Sequence, residues 1–258
     1  MKGMILMKIA VRGGHNFLAT GCSALIDETT EDRKVKDSVI KYLNQLGHTV
    51  LDVTPGNMDT NSDLVYGVSR ANNWGADLFI SIHFNKAYNS YNGAIGTETW
   101  VYSESDNYND EEYAKRIVDS IGALGFKNRG VKTSIDLYEL KHTTMPSVIV
   151  EVCFVEATED VALYKKLGSD KIGQVIAEAI ANKKIEVKVE YDMKKLVTYY
   201  GDADVYGAVM VAQKNRCPLM KVSDYKASGI KAEQVIQIGG KAEDTNRYVT
   251  FKNAAKLV

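Results

Sequence analysis

The sequence predicts an α/β protein: a twisted, mostly parallel sheet flanked by helices, followed by a second, small α/β domain. Three observations support this prediction. Residues 8–180 alternate short apolar strands with amphipathic helices, two of the strands (77–84 and 147–154) are almost continuously apolar, and 45% of the 258 residues are hydrophobic. A strand that is apolar on both faces is typical of a sheet covered by helices on both sides. Strands that alternate with helices are joined by crossover connections, which favour parallel pairing.

Each element of the first domain follows from its local pattern. The first strand ends at Gly13-Gly14, and the first helix has apolar residues at helical spacing and stops at Gly47, a typical residue after a helix end. The strand 77–84 is bounded by Gly75 and Asn85. The predicted strands are 8–11, 48–53, 77–84, 97–102 and 147–154, and the predicted helices are 29–46, 62–74, 110–124 and about 169–182.

A change in composition marks the end of the first domain. The segment Lys183–Met193 is rich in charged residues and leaves the helical pattern, so we expect domains at 7–185 and 191–258. Residues 191–258 contain 11 Lys and Arg against 7 Asp and Glu, a balance of +4 that leaves −5 for residues 1–190. About 65 residues make only a small core, so this domain leans on the first one or associates with a second copy of itself. Its predicted elements are strands 196–199, 218–222 and 234–239, a helix at 202–214 and a last helix.

Composition also excludes several classes of protein. The apolar content argues against disorder, collagen and coiled coil. A net charge of −1 gives no basis for a nucleic-acid partner, and no apolar stretch approaches the length of a membrane span. The first residues lack the pattern of a signal peptide, so we expect a protein made in the cytoplasm. Cys22, Cys153 and Cys217 lie far apart, which predicts no disulfide framework.

Four residues carry the chemistry that the pattern suggests. His15 follows the first strand, at the edge of the sheet where ligand sites of α/β proteins lie. His83 stands near the end of strand 77–84. Glu151 lies inside the apolar strand 147–154, where an unpaired carboxylate costs several kcal/mol. Glu28 begins the first helix.

Each of the four has a simple structural interpretation when it is considered alone. A loop histidine, a core histidine, a helix-start carboxylate favoured by the helix dipole and a paired core acid are all common. Together, two histidines and one carboxylate form a set that suits zinc with an open position for water. A second carboxylate would serve as the general base of a hydrolase. His48 and His142 are expected to be ordinary surface residues.

The contexts of these residues (GGH, DE, SIHFN and VIVEVCF) resemble the zinc-dependent N-acetylmuramoyl-L-alanine amidases, with further similarity at 68–72, 75–80 and 128–132. The resemblance covers about residues 8–180 in the right order. It implies a twisted sheet flanked by helices, zinc ligands at His15, Glu28 and His83, and a catalytic glutamate at Glu151. Asp27 and Glu31 stand close to the match at Glu28. Many members have Asp-Pro where this chain has Arg12-Gly13, which alters the loop but not the ligand.

The same resemblance implies a substrate. These enzymes cut the amide between N-acetylmuramic acid and L-alanine in peptidoglycan. With no signal peptide and a small second domain, the chain resembles endolysins of phages that infect clostridium-like hosts, which act on the wall after release. The second domain resembles wall-binding domains, so a wall polysaccharide is an expected partner. The tyrosines that could stack on sugars, if they are not structural, are Tyr199, Tyr200, Tyr206, Tyr225 and Tyr248.

Two other functions fit the same residues. A zinc carboxypeptidase-like wall hydrolase would use similar ligands and would need an arginine for a terminal carboxylate, for which Arg70 and Arg129 are candidates. A wall-binding protein with a degenerate site is the non-catalytic alternative, and the intact His15, His83 and Glu151 argue against it. Product analysis and zinc content separate the three.

Overall fold

A six-stranded sheet forms the centre of the first of two units in the computed structural model. The structure describes residues 6–103, 109–185, 190–244 and 246–258, and the chain divides into the units Met1–Ile185 and Glu186–Val258. Residues 186–189, inside the predicted boundary segment, lie outside the described residues. Within the described ranges, no helix combines the length and hydrophobicity that crossing a membrane requires.

The sheet has the strand order β2-β1-β3-β6-β4-β5. Strands β2, β1, β3 and β6 are parallel to one another, whereas β4 runs antiparallel to β6 and parallel to β5. The mostly parallel, helix-flanked sheet is therefore confirmed. The elements are β1 (Lys8–Gly13), α1 (Glu28–Gln45), β2 (Thr49–Asp52), α2 (Thr60–Trp74), β3 (Leu78–Asn85), β4 (Thr97–Val101), α3 (Asp110–Gly122), β5 (Asn128–Thr133), α4 (Tyr138–His142), β6 (Ser147–Phe154) and α5 (Thr158–Ala181).

The two faces of this sheet differ in the size of their apolar cores. On one face, α1, α3 and α5 bury a large cluster that includes Val11, Ile82 and Val150. On the other face, a smaller cluster joins Ala10 and Phe79 to α2 and to Met145 before β6. Since side chains alternate between faces along a strand, Arg12, Ser81 and His83 follow Ala10 and Phe79 onto this second face. These three polar residues therefore lie on the face with the smaller core.

Several features of the first unit differ from the sequence prediction. Strand β5 and the short helix α4 were not predicted. Helix α5 contains a kink at Gly168 (φ 77°): the helical segment after the kink agrees with the helix predicted at about 169–182, whereas the segment from Thr158 to the kink was not predicted. The prediction of a surface position for His48 is wrong: the residue is 4% exposed, and its Nδ1 accepts a hydrogen bond from the Met7 backbone N–H at 3.2 Å.

The second unit is a small α/β unit with a parallel sheet of order β8-β7-β9. Its main apolar cluster is small, as its length predicts, and consists of Val197, Ala208, Val211, Ala212, Ile238 and Ala254. Helix α7 was not predicted, and a 3₁₀ turn at Asp202–Asp204 precedes α6. The elements are β7 (Met193–Tyr199), α6 (Val205–Asn215), β8 (Leu219–Lys221), α7 (Val222–Ser228), β9 (Ala232–Ile238) and α8 (Arg247–Ala255).

Candidate metal centre

The candidate site lies at the carboxyl ends of β1, β3 and β6, the edge at which open α/β sheets place ligands. A hydrogen bond from the Gly14 N–H to the Ile82 carbonyl (2.9 Å) continues the pairing of β1 with β3 past the end of β1. This contact brings His15 beside His83. Their rings stand almost perpendicular, with centroids 5.1 Å apart.

Glu28, the first residue of α1, lies between the two histidines. Its Oε1 is 3.1 Å from Nδ1 of His83 and 3.4 Å from Nε2 of His15. The same Oε1 accepts the Phe84 N–H at 3.0 Å, and Oε2 accepts the Cys22 N–H at 2.8 Å. One ligand atom from each of His15, Glu28 and His83 lies within 4.8 Å of the others. The structure thus brings together the three residues that the family resemblance implies as metal ligands.

Glu28 and His83 stabilise each other's charged forms. Burial by itself raises the pKa of Glu28, but hydrogen bonds and charge from His15 and His83 outweigh it and hold the pKa below its ordinary range. Burial lowers the pKa of His83, but Glu139 and Glu28 outweigh it and raise the pKa well above the ordinary value. A carboxylate oxygen and two imidazole nitrogens that meet in a buried site need a proton or a cation between them.

Two glycines allow the ligands to approach one another. A Cβ atom on Gly14 would lie 2.0 Å from Cε1 of His83, and one on Gly21 would lie 2.4 Å from Oε2 of Glu28. Neither distance is compatible with van der Waals contact. Gly14 of the GGH motif is therefore required by the close approach of His83 to the backbone.

We expect Gly14→Ala to displace the His83 ring and to weaken metal binding, with loss of any activity that depends on the metal. Gly56→Ala is the matched control, because a Cβ atom there meets nothing within 4 Å. Zinc content and thermal midpoint of both purified variants provide the measurement. Equal zinc content in the two variants would contradict the expectation.

A second layer of buried polar residues holds the far side of His83. Its Nε2 is 3.0 Å from Ser81 Oγ and 3.5 Å from Glu139 Oε2. Glu139 also pairs with Arg12 at 3.0 Å, and Arg12 forms a second ion pair with Asp63. Both ring nitrogens of His83 thus face carboxylates, Nδ1 that of Glu28 and Nε2 that of Glu139, which favours a proton on each. A cation held between Nδ1 and Glu28 would replace the Nδ1 proton, while Glu139 would keep the proton on Nε2.

These buried polar residues around His83 were not predicted as part of the site. Arg12 was expected to alter only the loop, yet it is fully buried and donates to the Gly14 carbonyl at 2.6 Å. A charged residue inside the apolar strand KIAVRG was the available signal, the same one that singled out Glu151. Glu139 and Asp63 gave no such signal, because they come from helices α4 and α2.

Asp32 is another buried acid at the site that the sequence did not indicate. Its Oδ2 lies 3.4 Å from the His15 N–H, and its Oδ1 pairs with Arg33 at 2.8 Å. Arg33 also donates to the His15 carbonyl. Burial raises the pKa of Asp32 to about 6, against the opposing charge of Arg33. These contacts fix the backbone of the histidine loop.

Glu151 lies on β6 in register with His83 on one side and with Glu98 of β4 on the other. Its Oε2 is buried and has no hydrogen-bond partner among the described residues. Burial raises the pKa of Glu151 to about 8; the His83 charge opposes this rise, and Glu28, Glu98 and Glu139 add to it. Glu151 is outside the His15–Glu28–His83 group.

Arg70, Arg129 and His142 differ in their surroundings. Arg70 is exposed on α2 and donates to the Tyr66 hydroxyl at 2.6 Å. Arg129 is the second residue of β5 and pairs with Glu98 at 2.7 Å. His142 is exposed, as expected, and packs against Tyr138 with ring centroids 4.2 Å apart.

The five tyrosines of the second unit separate by exposure. Tyr200, Tyr206 and Tyr248 are exposed by 60%, 77% and 76%, so their rings are available for contact. Tyr199 packs against the small core of the unit, and Tyr225 is half-buried. The three cysteines of the chain are free thiols, as their spacing predicts.

Comparisons with known proteins place this site in a family. A family model described as N-acetylmuramoyl-L-alanine amidase matches residues 9–182. An uncharacterised protein of Clostridium perfringens is 57% identical over 185 residues, which are 71% of this chain and 54% of that protein. The amidase CwlM of Bacillus licheniformis is 30% identical over 69% of this chain and 67% of its own length. The chain spans about half the length of the two Clostridium perfringens proteins that it matches.

Solved structures agree with the sequence comparisons. The catalytic domain of the CD27L endolysin, which targets Clostridia difficile, superposes with a TM-score of 0.62 at 30% identity, over 70% of this chain and 99% of that domain. The residues that the family model matches, 9–182, include His15, Glu28, His83 and Glu151. The chain belongs to the N-acetylmuramoyl-L-alanine amidase family.

Proposed function

We propose that this chain hydrolyses the amide bond between N-acetylmuramic acid and L-alanine in peptidoglycan, as a zinc-dependent amidase. The observation that carries the proposal is the convergence of His15, Glu28 and His83 at the carboxyl edge of the sheet, next to Glu151, whose Oε2 has no hydrogen-bond partner among the described residues. The description of the matching family indicates which bond would be cut.

The residues fit zinc by their chemistry. Two imidazole nitrogens and one carboxylate oxygen are a ligand set typical of catalytic zinc, in which a fourth position stays open. Ser81 and Glu139 hold the other nitrogen of His83, as outer contacts of metal-bound histidines commonly do. Zinc bound there would acidify a water molecule and polarise the amide carbonyl.

Glu151 would carry the proton in this reaction. Glu151 lies in register with His83, and the positive charge of bound zinc would favour its ionised form over the raised pKa that burial gives it. Its Oε2, which has no hydrogen-bond partner among the described residues, would then accept a proton from the attacking water. The same carboxyl would then deliver that proton to the nitrogen of the leaving L-alanine, the usual double role of a general base and acid. Arg12 and Asp63 contribute indirectly, because they hold the carboxylate of Glu139 against His83.

The direct test is an analysis of the products from purified peptidoglycan. We expect new L-alanine amino termini and one zinc per chain in the active protein. Release of D-alanine would indicate the carboxypeptidase alternative, and active protein without metal would contradict the zinc mechanism.

We also propose that the chain acts as an endolysin and that its second unit holds it on the wall. The structural similarity to an endolysin catalytic domain, the net positive charge of residues 191–258 and the three exposed tyrosines support this division of labour. Attachment raises the local concentration of the catalytic unit at its substrate.

Cosedimentation with walls tests the role of the second unit. The full chain carrying Glu151→Gln should pellet with walls that it does not digest, and residues 1–185 with the same substitution should pellet less. Equal pelleting of both proteins would contradict wall binding by the second unit.

A further inference from the structure

Four ionisable side chains form a row across four neighbouring strands of the sheet. His83 on β3 is in register with Glu151 on β6, and Glu151 is in register with Glu98 on β4. Arg129 on β5 continues the row through its ion pair with Glu98. Residues paired across strands point to the same face of a sheet, so the row runs from the candidate metal centre to an arginine.

Arg129 is held in one orientation by two buried partners. Its Nε lies 2.7 Å from Oε2 of Glu98, and its guanidinium stacks 5.1 Å from the ring centre of Phe154. Glu98 is 3% exposed, and Asn85 donates to its other oxygen at 2.9 Å. An arginine whose Nε and flat face are both fixed is prepared to bind a ligand with its terminal nitrogens.

Those terminal nitrogens remain available. Within the part of the chain that the structure describes, neither Nη atom of Arg129 has a partner, and its side chain is 35% exposed. Arg12, by contrast, is fully buried between Asp63 and Glu139. Arg33 is bound to Asp32 and to the Thr29 carbonyl. Arg129 is thus the arginine of this region that can meet a dissolved anion.

We propose that Arg129 binds a carboxylate of the stem peptide, close to the amide that is cut; this inference rests on the proposed function. Neighbouring strands are about 4.8 Å apart, so two spacings separate Glu151 from Arg129 by roughly 10 Å. An extended peptide covers about 3.4 Å per residue, so the distance fits a carboxylate within about three residues of the scissile amide. The two Nη groups suit the planar geometry of a carboxylate.

Hydrolysis of two forms of the same wall tests this role. Purified peptidoglycan is used as isolated and after its free carboxylates have been converted to carboxamides. Arg129→Gln should slow hydrolysis of the untreated wall about 10-fold to 100-fold, the effect of losing a hydrogen bond to a charged group. It should have little effect on the amidated wall, and Arg129→Lys should restore part of the selectivity. Arg70→Gln, an exposed arginine on α2, is the matched control and should behave like the wild type on both walls.

An arginine that only supported Glu98 would give a different result. Equal losses on both walls, or no loss on either wall, would overturn the proposal. The comparison uses the ratio of the two rates for each variant, so general effects of amidation on wall binding cancel.

Binding of a product peptide separates this inference from the proposed function. L-alanyl-D-glutamate, its α-amide and its γ-amide are titrated against the zinc-loaded full chain by nuclear magnetic resonance, which requires no turnover. Wild type should bind the free acid at least tenfold more tightly than Arg129→Gln does, and the amide that binds weakly identifies the carboxylate. Equal affinity of both proteins would overturn the inference, whereas binding through Arg129 without wall hydrolysis would contradict the amidase function alone.

Discussion

Glu151→Gln is expected to lower the rate of wall hydrolysis by about 10²-fold to 10⁴-fold, the usual loss when a general base or acid is removed. Glutamine keeps the size of the side chain but cannot accept and deliver the proton. The zinc content should not change, because Glu151 lies outside the group formed by His15, Glu28 and His83.

The stability of this variant should also be preserved. Breaking a buried ion pair costs about 3–5 kcal/mol, but Glu151 Oε2 has no partner among the described residues. Three other carboxylates, those of Glu28, Glu98 and Glu139, raise the pKa of Glu151 by their charge after burial itself. Because the pKa of Glu151 is raised to about 8, its carboxyl is largely neutral at pH 7 in the metal-free protein, and the neutral glutamine should leave the thermal midpoint nearly unchanged at that pH.

The experiment measures the release of L-alanine amino termini, the zinc content and the thermal midpoint of one preparation. Glu178→Gln is the matched control, since Glu178 is a buried glutamate on α5 of the same unit and pairs with Lys184, which follows the end of that helix. It should lose some stability and keep its activity. A Glu151→Gln protein that keeps its zinc and digests walls at the wild-type rate would refute the mechanism.

The sheet was largely predictable because its central strands are buried on both faces. The apolar runs in β3 and β6 are longer than those usual in loops, so they indicate two buried strands at the centre of a parallel sheet. Strand β5 escaped prediction because its sequence, NRGVKT, is polar and lies at the edge of the sheet, where no residue is fully buried. Helix α4 has five residues, too few to show a helical period.

The residues of the candidate site were predictable where an ionisable side chain lies in an apolar strand or at its end. His15 and His83 follow or end strands, and Glu151 is an acid in an apolar strand, so each carries a local signal. Glu139 and Asp63 carry none: their importance comes from contact with Arg12, which depends on how α4 and α2 pack against the sheet. Such contacts between distant segments leave no spacing pattern in a single sequence.

His83→Ala is expected to abolish both zinc binding and activity, in contrast to the loss of activity alone in Glu151→Gln. In the proposed site His83 would supply one of the three ligand atoms, and its Nδ1 lies 3.1 Å from Glu28 Oε1. Alanine also leaves Glu28 and Glu139 facing a cavity, although Glu139 keeps its ion pair with Arg12. The remaining two ligands should not retain the metal.

A thermal measurement distinguishes metal loss from unfolding. A ligand that binds the folded state alone stabilises it by about 2.7 kcal/mol at a concentration of 100 times its dissociation constant. Added zinc should therefore raise the thermal midpoint of the chelator-treated wild type and of Glu151→Gln, but not that of His83→Ala. His142→Ala is the matched control, because His142 is exposed and packs only against Tyr138 among the aromatic rings described; it should keep the zinc response. If His83→Ala bound one zinc per chain with the wild-type thermal shift, the metal would have to lie elsewhere, and the ligand set proposed for this amidase would be wrong.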